Sequence, residues 1–163
     1  MIVADHLFEA HVSVADLGRS IAFYRDVVGL ELAHMTEDQR AAFMWIGSRG
    51  HAMLGLWAAG SGPQKMTLHI AFTTSLSDVL NAPRTLRTLG VAALDFEALP
   101  TDEPVVLGWM PAAAIYFRDP DGHLLEFIAM LADPPRPECG VLPWRAWQLQ
   151  VSRSSSEHCR SAS

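Results

Sequence analysis

Polar side chains stand at positions of the sequence where neighbouring residues are apolar. Glu9 and His11 lie in EAHVSV, His69 lies in LHIAF, and Glu126 lies in LLEFIAM. Each segment alternates, which predicts strands with these polar groups on one face. Carboxylates and a neutral imidazole balance the charge of a divalent cation and leave coordination positions open for substrate oxygens. Such a cation acts as a Lewis acid, and Glu126 or Glu9 is a candidate general base.

Each of these residues also has a purely structural interpretation. Glu9 is compatible with a surface carboxylate at a strand edge, and His11 with a hydrogen-bonded histidine of the core. Glu126 is compatible with an ion pair to Arg118 across a hairpin. His69 is the strongest single candidate, because its neighbours alternate cleanly. The metal hypothesis therefore depends on Glu9, His69 and Glu126 converging, since crowded carboxylates without a cation are costly.

The first third of the chain predicts a βαβββ order. Phe8–Val14 alternates as a strand, Asp16 is a candidate helix N-cap, and Gly29 supplies the left-handed residue that ends the helix. Polar and glycine-containing segments then separate further apolar runs. These runs predict strands over 30–35, 41–46 and 52–57.

The same order restarts after GSGPQ at residues 60–64, which predicts a linker. A strand is predicted over 66–73, and a helical pattern runs from Val79 to Leu89. Pro83 interrupts this pattern, so we expect a short first turn and a helix that restarts near Asn81. Strands are further predicted over 91–94, 113–118 and 124–130. The repeated order suggests an internal duplication, while His34, His51 and His123 are expected at the surface.

The segment RDPDGH predicts a tight turn before the strand of Glu126. Asp119 and Asp121 can accept hydrogen bonds from backbone amides of the turn, and Gly122 supplies a positive φ. The segment is therefore interpreted as a hairpin that carries a carboxylate on its returning strand.

The segments VADLGRSIAFYRDVVGLEL, LHIAF and YFRDPDGHLLEF, in this order between residues 8 and 130, resemble the vicinal oxygen chelate superfamily. This superfamily includes glyoxalase I, fosfomycin-resistance thiol transferases, extradiol dioxygenases and bleomycin-binding proteins. The resemblance implies an α+β fold in which two βαβββ modules form a curled mixed sheet with a metal or ligand cleft. The modules are assigned to residues 1–60 and 61–131, and the likeness to relatives implies a homodimer.

The resemblance also implies the metal ligands. His69 and Glu126 match two ligand positions of metal-dependent relatives, and the first-strand position falls on Glu9, where many relatives have His or Gln. His11 lies two residues further on the same face. A fourth position falls on Gly55, which has no ligating side chain and favours a three-ligand site. The implied cofactor is a divalent metal, with Mn, Fe, Zn and Ni all compatible.

Further residues are candidates for the substrate pocket. Met53 and Trp57 share strand parity with Gly55, and Trp109 lies in VVLGWMPAA between strands, where a lid is expected. With His11, they suit an apolar or aromatic ligand. The alternative is that the tryptophans belong to the core or to a dimer interface.

Residues 132–163 form a distinct extension. ADPPRPECG is proline-rich and is expected to wrap over the surface without continuing the sheet. Trp144 and Trp147 have helical spacing and are expected to dock on the domain or on a second subunit. The tail after Val151 is expected to be disordered. Cys139 and Cys159 predict neither a disulfide framework nor a metal site.

Composition narrows the function. The net charge of −6 and a charged fraction of 18% argue against nucleic acid as a partner, and no apolar run has the length of a membrane span. The expectation is a cytoplasmic protein that binds a small molecule. The leading hypothesis is a metalloenzyme with lyase, isomerase, thiol transferase or dioxygenase chemistry on a molecule with vicinal oxygens. Its rival is a metal-free drug- or metabolite-binding protein of the bleomycin-resistance type.

Overall fold

The computed structural model describes residues 7–58 and 67–161, apart from the side chains of residues 153–161. The chain divides into two compact units, which we call unit 1 (Met1–Leu68 with Asp119–His123) and unit 2 (His69–Arg118 with Leu124–Ser163). The sequence places the module boundary between residues 60 and 61, whereas the units divide after Leu68. The predicted linker at residues 60–64 lies outside the described residues.

Unit 1 has the βαβββ order that the sequence predicts. Its sheet has the strand order β1-β4-β3-β2, with β1 parallel to β4 and the other pairs antiparallel. A π-helical turn, Tyr24–Val28, continues α1. The elements are β1 (Glu9–Val14), α1 (Leu17–Phe23), β2 (Glu31–Met35), β3 (Ala41–Ile46) and β4 (Ala52–Ala58).

Local chemistry explains how β1 leads into α1. Val12 and Val14 are buried, whereas His11 is exposed, so the predicted two-faced strand is confirmed. The Asp16 Oδ1 atom accepts a hydrogen bond from the Arg19 N–H at 2.8 Å, which caps the helix. Gly29 has φ +83° and ends the helical segment, as predicted.

The turn Asp119–His123 belongs to unit 1, and its own acidic residues hold it in shape. Asp119 Oδ1 accepts hydrogen bonds from the N–H groups of Asp121 (2.9 Å) and His123 (2.8 Å). Gly122 has φ +89°. The predicted bonding of Asp119 to turn amides is confirmed, and so is the positive φ.

Residues in and around helix α1 form hydrogen bonds with this turn. The Tyr24 hydroxyl donates a hydrogen bond to Asp119 Oδ2 at 3.1 Å in a buried position. Asp121 accepts from the Ala15 N–H (3.0 Å), the Arg19 guanidinium (3.1 Å) and the Ser20 hydroxyl (3.2 Å). The carboxylates of the turn therefore bind the helix as well as the turn itself.

His123 corrects one expectation. The sequence places it at the surface, but its side chain is only 3% exposed. Its Nδ1 accepts a hydrogen bond from the Leu68 N–H, and its Nε2 lies 3.1 Å from the Ser13 carbonyl oxygen. Both ring nitrogens are thus paired with backbone groups, which allows the imidazole to be buried. His34 and His51 are exposed, as expected.

Unit 2 is built around a second mixed sheet with the strand order β5-β8-β7-β6-β9. Strands β5 and β8 are parallel, and the other pairs are antiparallel. The elements are β5 (His69–Thr73), α2 (Leu76–Thr88), β6 (Val105–Leu107), β7 (Ala112–Arg118), β8 (Leu124–Met130), β9 (Val141–Pro143) and α3 (Trp144–Ser161).

The sheet of unit 2 differs from the prediction at its far edge. Residues 91–94 do not form a strand, and Leu94 makes isolated bridges to Pro100 and Tyr116. The strand at this place is β6, which the sequence pattern did not indicate. The extension also adds β9, antiparallel to β6, directly after the proline-rich residues 132–140, which form no strand, as expected. Both strands have three residues, too few for alternation to be recognised.

Helix α2 runs without interruption through Pro83, so the predicted restart near Asn81 is wrong. Ser75 caps the helix by accepting a hydrogen bond from the Asp78 N–H. Pro83 is buried together with Val79 and Leu86. The packing of this apolar face compensates for the backbone hydrogen bond that proline cannot donate.

Trp147 of the extension is buried, with 1% of its surface exposed, and two of its contacts lie within the extension itself. Its indole N–H donates to Asp133 Oδ2 at 3.4 Å, and the Arg136 guanidinium lies 5.9 Å from its ring centre. The backbone of α3 continues to Ser161, where the sequence suggested a disordered tail. Among the described residues, no helix combines the length and the apolarity that crossing a membrane requires.

Candidate active site

The parallel pair β5 and β8 brings two predicted metal ligands together in unit 2. His69 Nε2 lies 2.9 Å from Glu126 Oε2. The register pairs His69 with Leu124 and Ala71 with Glu126, so the two side chains meet diagonally on one face of the sheet. Half of the His69 side chain is exposed, whereas Glu126 is 4% exposed. The contact that Glu126 makes here is with His69.

Glu126 is a buried carboxylate that the protein satisfies incompletely. Its Oε1 atom is buried and finds no hydrogen-bond partner among the described residues. Burial raises the pKa of the Glu126 carboxyl group above its usual range, and the neighbouring His69 opposes this shift. A buried acceptor without a partner costs about 1–3 kcal/mol. The site therefore contains an oxygen atom that is available to a ligand.

Tyr116 is the third polar side chain of this face. It lies directly opposite Glu126 in the antiparallel pair of β7 and β8, and its ring centre is 5.9 Å from that of His69. Burial, together with the negative charge of Glu126, raises the pKa of the Tyr116 hydroxyl. The hydroxyl group is therefore neutral at physiological pH and is a potential proton donor beside the carboxylate.

The donor set of His69 and Glu126 fits a divalent cation. An imidazole nitrogen and a buried carboxylate oxygen without a partner are ligands that Zn, Mn, Fe and Ni accept. These residues account for two of the three predicted ligands. In the described part of the chain, no group of three or more His, Cys, Asp or Glu side chains is placed to hold a metal ion.

The third predicted ligand, Glu9, lies in unit 1 beside His11. Glu9 Oε1 is 3.2 Å from His11 Nε2, and the Trp57 indole N–H donates a hydrogen bond to His11 Nδ1 at 2.6 Å. Because Nδ1 accepts, the proton of a neutral His11 is on Nε2, which faces Glu9. Both groups are partly exposed, contrary to the interpretation of His11 as a core histidine.

Gly55 explains why the His11 ring can lie over strand β4. The two residues are paired in the parallel register of β1 and β4. A Cβ atom on residue 55 would lie 3.1 Å from His11 Nδ1 and 3.2 Å from both Cγ and Cε1 of the ring. Gly55 has no side chain that could serve as a fourth ligand, and for the same reason it leaves space for the imidazole of His11.

Aromatic side chains extend this face of unit 1. The Phe43 ring packs edge-on against both His11 (6.0 Å between ring centres) and Trp57 (6.2 Å), and it stacks on His34 at 6.3 Å. Trp57 and His34 also line an open cleft of about 770 Å³ together with Arg40. Trp57 is 42% exposed, so its ring is accessible to a ligand from this cleft.

The other predicted pocket residues have different positions. Met53 pairs with Glu9 across β1 and β4, which confirms that it shares a face with Gly55 and Trp57. Trp109 is exposed and lies in the turn between β6 and β7. Its place in a substrate pocket stays a prediction.

Sequence reasoning missed several residues of these two faces. Tyr116 could have been found, because alternation along AAAIYFR places it on one face and the DPDG turn fixes its pairing with Glu126. Phe43 could also have been found, because alternation along AAFMWI predicts which residues share its face of the strand. Phe96, whose ring lies 6.2 Å from Tyr116, follows no periodic segment, and no sequence signal indicates it.

Comparison with known proteins gives consistent results. A model of the Glyoxalase/Bleomycin resistance protein/Dioxygenase superfamily matches residues 4–127. The chain is similar to metallothiol transferase FosB of Lysinibacillus sphaericus (strain C3-41), with 33% identity over 123 residues, covering 71% of this chain and 75% of FosB.

Solved structures with the same fold were also found. The integron cassette protein HFX_CASS4, from the mobile metagenome of the Halifax Harbour sewage outfall, is 31% identical with a TM-score of 0.66, covering 78% of this chain and 100% of that chain. The genomically encoded fosfomycin resistance protein FosX of Listeria monocytogenes is 22% identical with a TM-score of 0.58, covering 80% and 94%.

Proposed function

We propose, since the chain belongs to the Glyoxalase/Bleomycin resistance protein/Dioxygenase superfamily, that it is a metal-dependent enzyme acting on a small molecule with two adjacent oxygen atoms. His69 and Glu126 hold a divalent metal in unit 2. Glu9 of β1 stays the candidate for a third protein ligand. A divalent metal in such a site supplies Lewis-acid stabilisation of negative charge on substrate oxygens.

One observation carries this proposal: Glu126 is buried against His69 with one carboxylate oxygen that has no partner among the described residues. A carboxylate that served only to stabilise the fold would be expected to have both oxygens hydrogen-bonded or exposed. A cation bound to both groups would replace the proton of the hydrogen bond between His69 Nε2 and Glu126 Oε2.

Proton transfer, hydrogen bonding to the substrate and ligand access are assigned to three residues of this face. Glu126 lies between His69 and Tyr116, so it can receive a proton from a substrate group and pass it along this face. The Tyr116 hydroxyl keeps its proton because burial raises its pKa, and it can donate a hydrogen bond to a developing oxyanion. The exposed edge of His69 leaves the site open to a ligand from solvent.

Among the reaction classes open to this superfamily, we favour thiol transfer. The reason is the similarity to a protein named metallothiol transferase, which extends over most of both chains. In such a reaction the sulfur of a thiol forms a bond to an electrophilic carbon, a carbon–oxygen bond breaks, and the thiol proton goes to the oxygen atom that leaves. Disappearance of free thiol with small electrophiles that carry adjacent oxygens tests this choice.

Elemental analysis of the purified protein, followed by titration with Mn, Fe, Zn and Ni salts, tests the metal. We expect about one equivalent of metal in the wild type and its loss in His69→Ala and Glu126→Gln. Glu138→Gln is the matched control, because it makes the same chemical change at an exposed carboxylate outside the candidate site. The proposal would be refuted by a wild-type protein that binds none of the four metals. It would also be refuted by a Glu126→Gln variant that keeps its metal.

A metal-free binding protein is the second candidate, with one observation in its favour. The cleft of unit 1 that Trp57, His34 and Arg40 line is already open. In that case this cleft would be the binding site of the ligand. The metal titration above separates the two functions.

A further inference from the structure

The segment between α2 and β6 exposes two large apolar side chains. Phe96 is 57% exposed and Leu99 is 55% exposed. A phenylalanine side chain usually buries most of its surface, so the exposure of Phe96 requires an explanation. We call residues Leu94–Pro100 the Phe96 loop.

The Phe96 loop is held firmly by backbone hydrogen bonds. The Leu94 N–H donates to the Tyr116 carbonyl at 2.7 Å, and the Tyr116 N–H donates back at 3.0 Å. Within the loop, the Asp95 N–H donates to the Leu99 carbonyl at 2.8 Å. Phe96 and Leu99 therefore project from a fixed frame, since both ends of the loop are anchored.

The tip of the loop is also strained. Asp95 Oδ1 accepts hydrogen bonds from the N–H groups of Glu97 and Leu99, each at 2.9 Å. Ala98 has φ +61°, a left-handed conformation that costs a residue with a Cβ atom about 1–2 kcal/mol. Strain of this kind is typical of ligand-binding loops, where the surrounding structure imposes the conformation.

The loop is continuous with the His69–Glu126 site. The Phe96 ring packs edge-on against Tyr116 at 6.2 Å between ring centres, and Tyr116 lies 5.9 Å from the His69 ring. Tyr116 is also the cross-strand neighbour of Glu126. An apolar surface thus begins at Phe96 on the same face of the sheet, and the ring of Tyr116 lies between Phe96 and the His69–Glu126 pair.

We propose that Phe96 binds the apolar part of the substrate, and that the substrate carries an aryl or similarly flat apolar group next to its oxygen atoms. This inference depends on the proposed function, because the oxygen atoms would be held at the His69–Glu126 site. The flat group then lies against Phe96, which explains why the loop exposes this side chain in a fixed geometry. The matching ligand chemistry is an oxyanion with an aromatic substituent.

Phenylphosphonate and methylphosphonate are suitable probes, because they share one oxyanion group and differ in the apolar substituent. Calorimetric titration of the metal-loaded protein is expected to show that phenylphosphonate binds about tenfold more tightly, as burial of a ring predicts. In Phe96→Ala this preference should fall to within about twofold, with unchanged methylphosphonate affinity and metal content. Leu149→Ala, at an exposed apolar position of α3, should keep the preference.

Three results would overturn the inference while leaving the metal enzyme intact. One is equal affinity for the two phosphonates in the metal-loaded wild type, or no binding of either. Another is a Phe96→Ala variant that retains the full preference. The third is a Phe96→Ala variant that dissociates an oligomer in sedimentation experiments but keeps the preference, which would assign the loop to an interface between copies. A protein that binds no metal would instead overturn the proposed function and this inference together.

Discussion

The two units use one arrangement of strands to hold two different histidine contacts. In unit 1, His11 of β1 contacts Trp57 of β4, which lies opposite Ser13. In unit 2, His69 of β5 contacts Glu126 of β8, which lies opposite Ala71. In both cases the partner stands opposite the residue two positions after the histidine, on the neighbouring parallel strand.

The partner's chemistry decides what each histidine can do. The indole N–H of Trp57 donates only, so it fixes the proton of a neutral His11 on Nε2 and adds no charge. The carboxylate of Glu126 accepts and brings negative charge into a buried position. The duplicated framework therefore provides a buried carboxylate–histidine pair in unit 2 and, in unit 1, a partly exposed histidine between the Trp57 indole and the Glu9 carboxylate.

The largest effect is expected from the first-strand residues. Glu9→Ala should weaken metal binding on the order of 100-fold or more, because it removes a predicted ligand. His11→Ala should weaken it about tenfold, since both nitrogens of His11 already face Trp57 and Glu9 and its role is to orient the carboxylate. Metal affinities measured by competition with a chelator check both values.

Ser13→Ala is the control for these variants, because Ser13 lies on the same exposed face of β1. It should leave metal affinity unchanged. If His11→Ala abolishes metal binding while Glu9→Ala retains it, His11 is the ligand. The correspondence between His11 and His69 would then extend to their chemistry.

A second prediction concerns the space that Gly55 leaves for His11. Gly55→Ala should destabilise the protein by about 1–2 kcal/mol, because the new Cβ atom would lie 3.1–3.2 Å from the His11 ring. It should also shift the indole N–H proton signal of Trp57 in NMR spectra, identified by its loss in Trp57→Phe. Chemical denaturation gives the change in stability.

Gly18→Ala provides the matched comparison for Gly55→Ala. Gly18 lies in α1, and a Cβ atom added there would have Asp16 Oδ1 as its nearest neighbour, at 3.5 Å. This variant should be neutral or stabilise the protein by up to about 1 kcal/mol, since alanine favours helix. Equal stabilities of the two variants, with an unshifted indole signal, would show that His11 does not depend on Gly55.

The contrast between the units also shows which features the sequence could predict. Strand β1, the cap at Asp16 and the DPDG turn depend on periodicity and local turn chemistry, and the sequence contains both. These features could be predicted because each is encoded within about ten residues. The fold family, and with it the choice of His69 and Glu126 as candidates, came from the resemblance of three segments spread between residues 8 and 130.

The missed features depend on contacts between distant segments. Strand β9 forms because β6 offers it an unpaired edge, and three residues carry no period that would indicate this. His123 is buried because Leu68 and Ser13 supply backbone partners, neither of which is near it in sequence. Helix α2 continues through Pro83 because its apolar face is buried. In each case tertiary packing overrides the local signal.

The smallest predicted effect concerns the stability of the metal-free protein. Burial raises the pKa of Glu126 in the folded state above its unfolded value. The folded state therefore binds a proton more tightly, so this group favours folding below the unfolded pKa and loses that contribution as pH rises through the folded pKa. Glu126→Gln removes the buried charge, so it should be about 1 kcal/mol more stable than the wild type at pH 7.

Denaturation of both proteins across pH 4 to 8, in the presence of a chelator, measures this difference. The advantage of Glu126→Gln should shrink as the pH falls toward 4, because the wild-type carboxyl group then becomes protonated and neutral. A wild type that is more stable than Glu126→Gln at neutral pH would mean that the His69–Glu126 contact stabilises the fold by more than the buried charge costs. The pair would then resemble the His11–Trp57 pair in serving structure first, and the contrast between the two units would weaken.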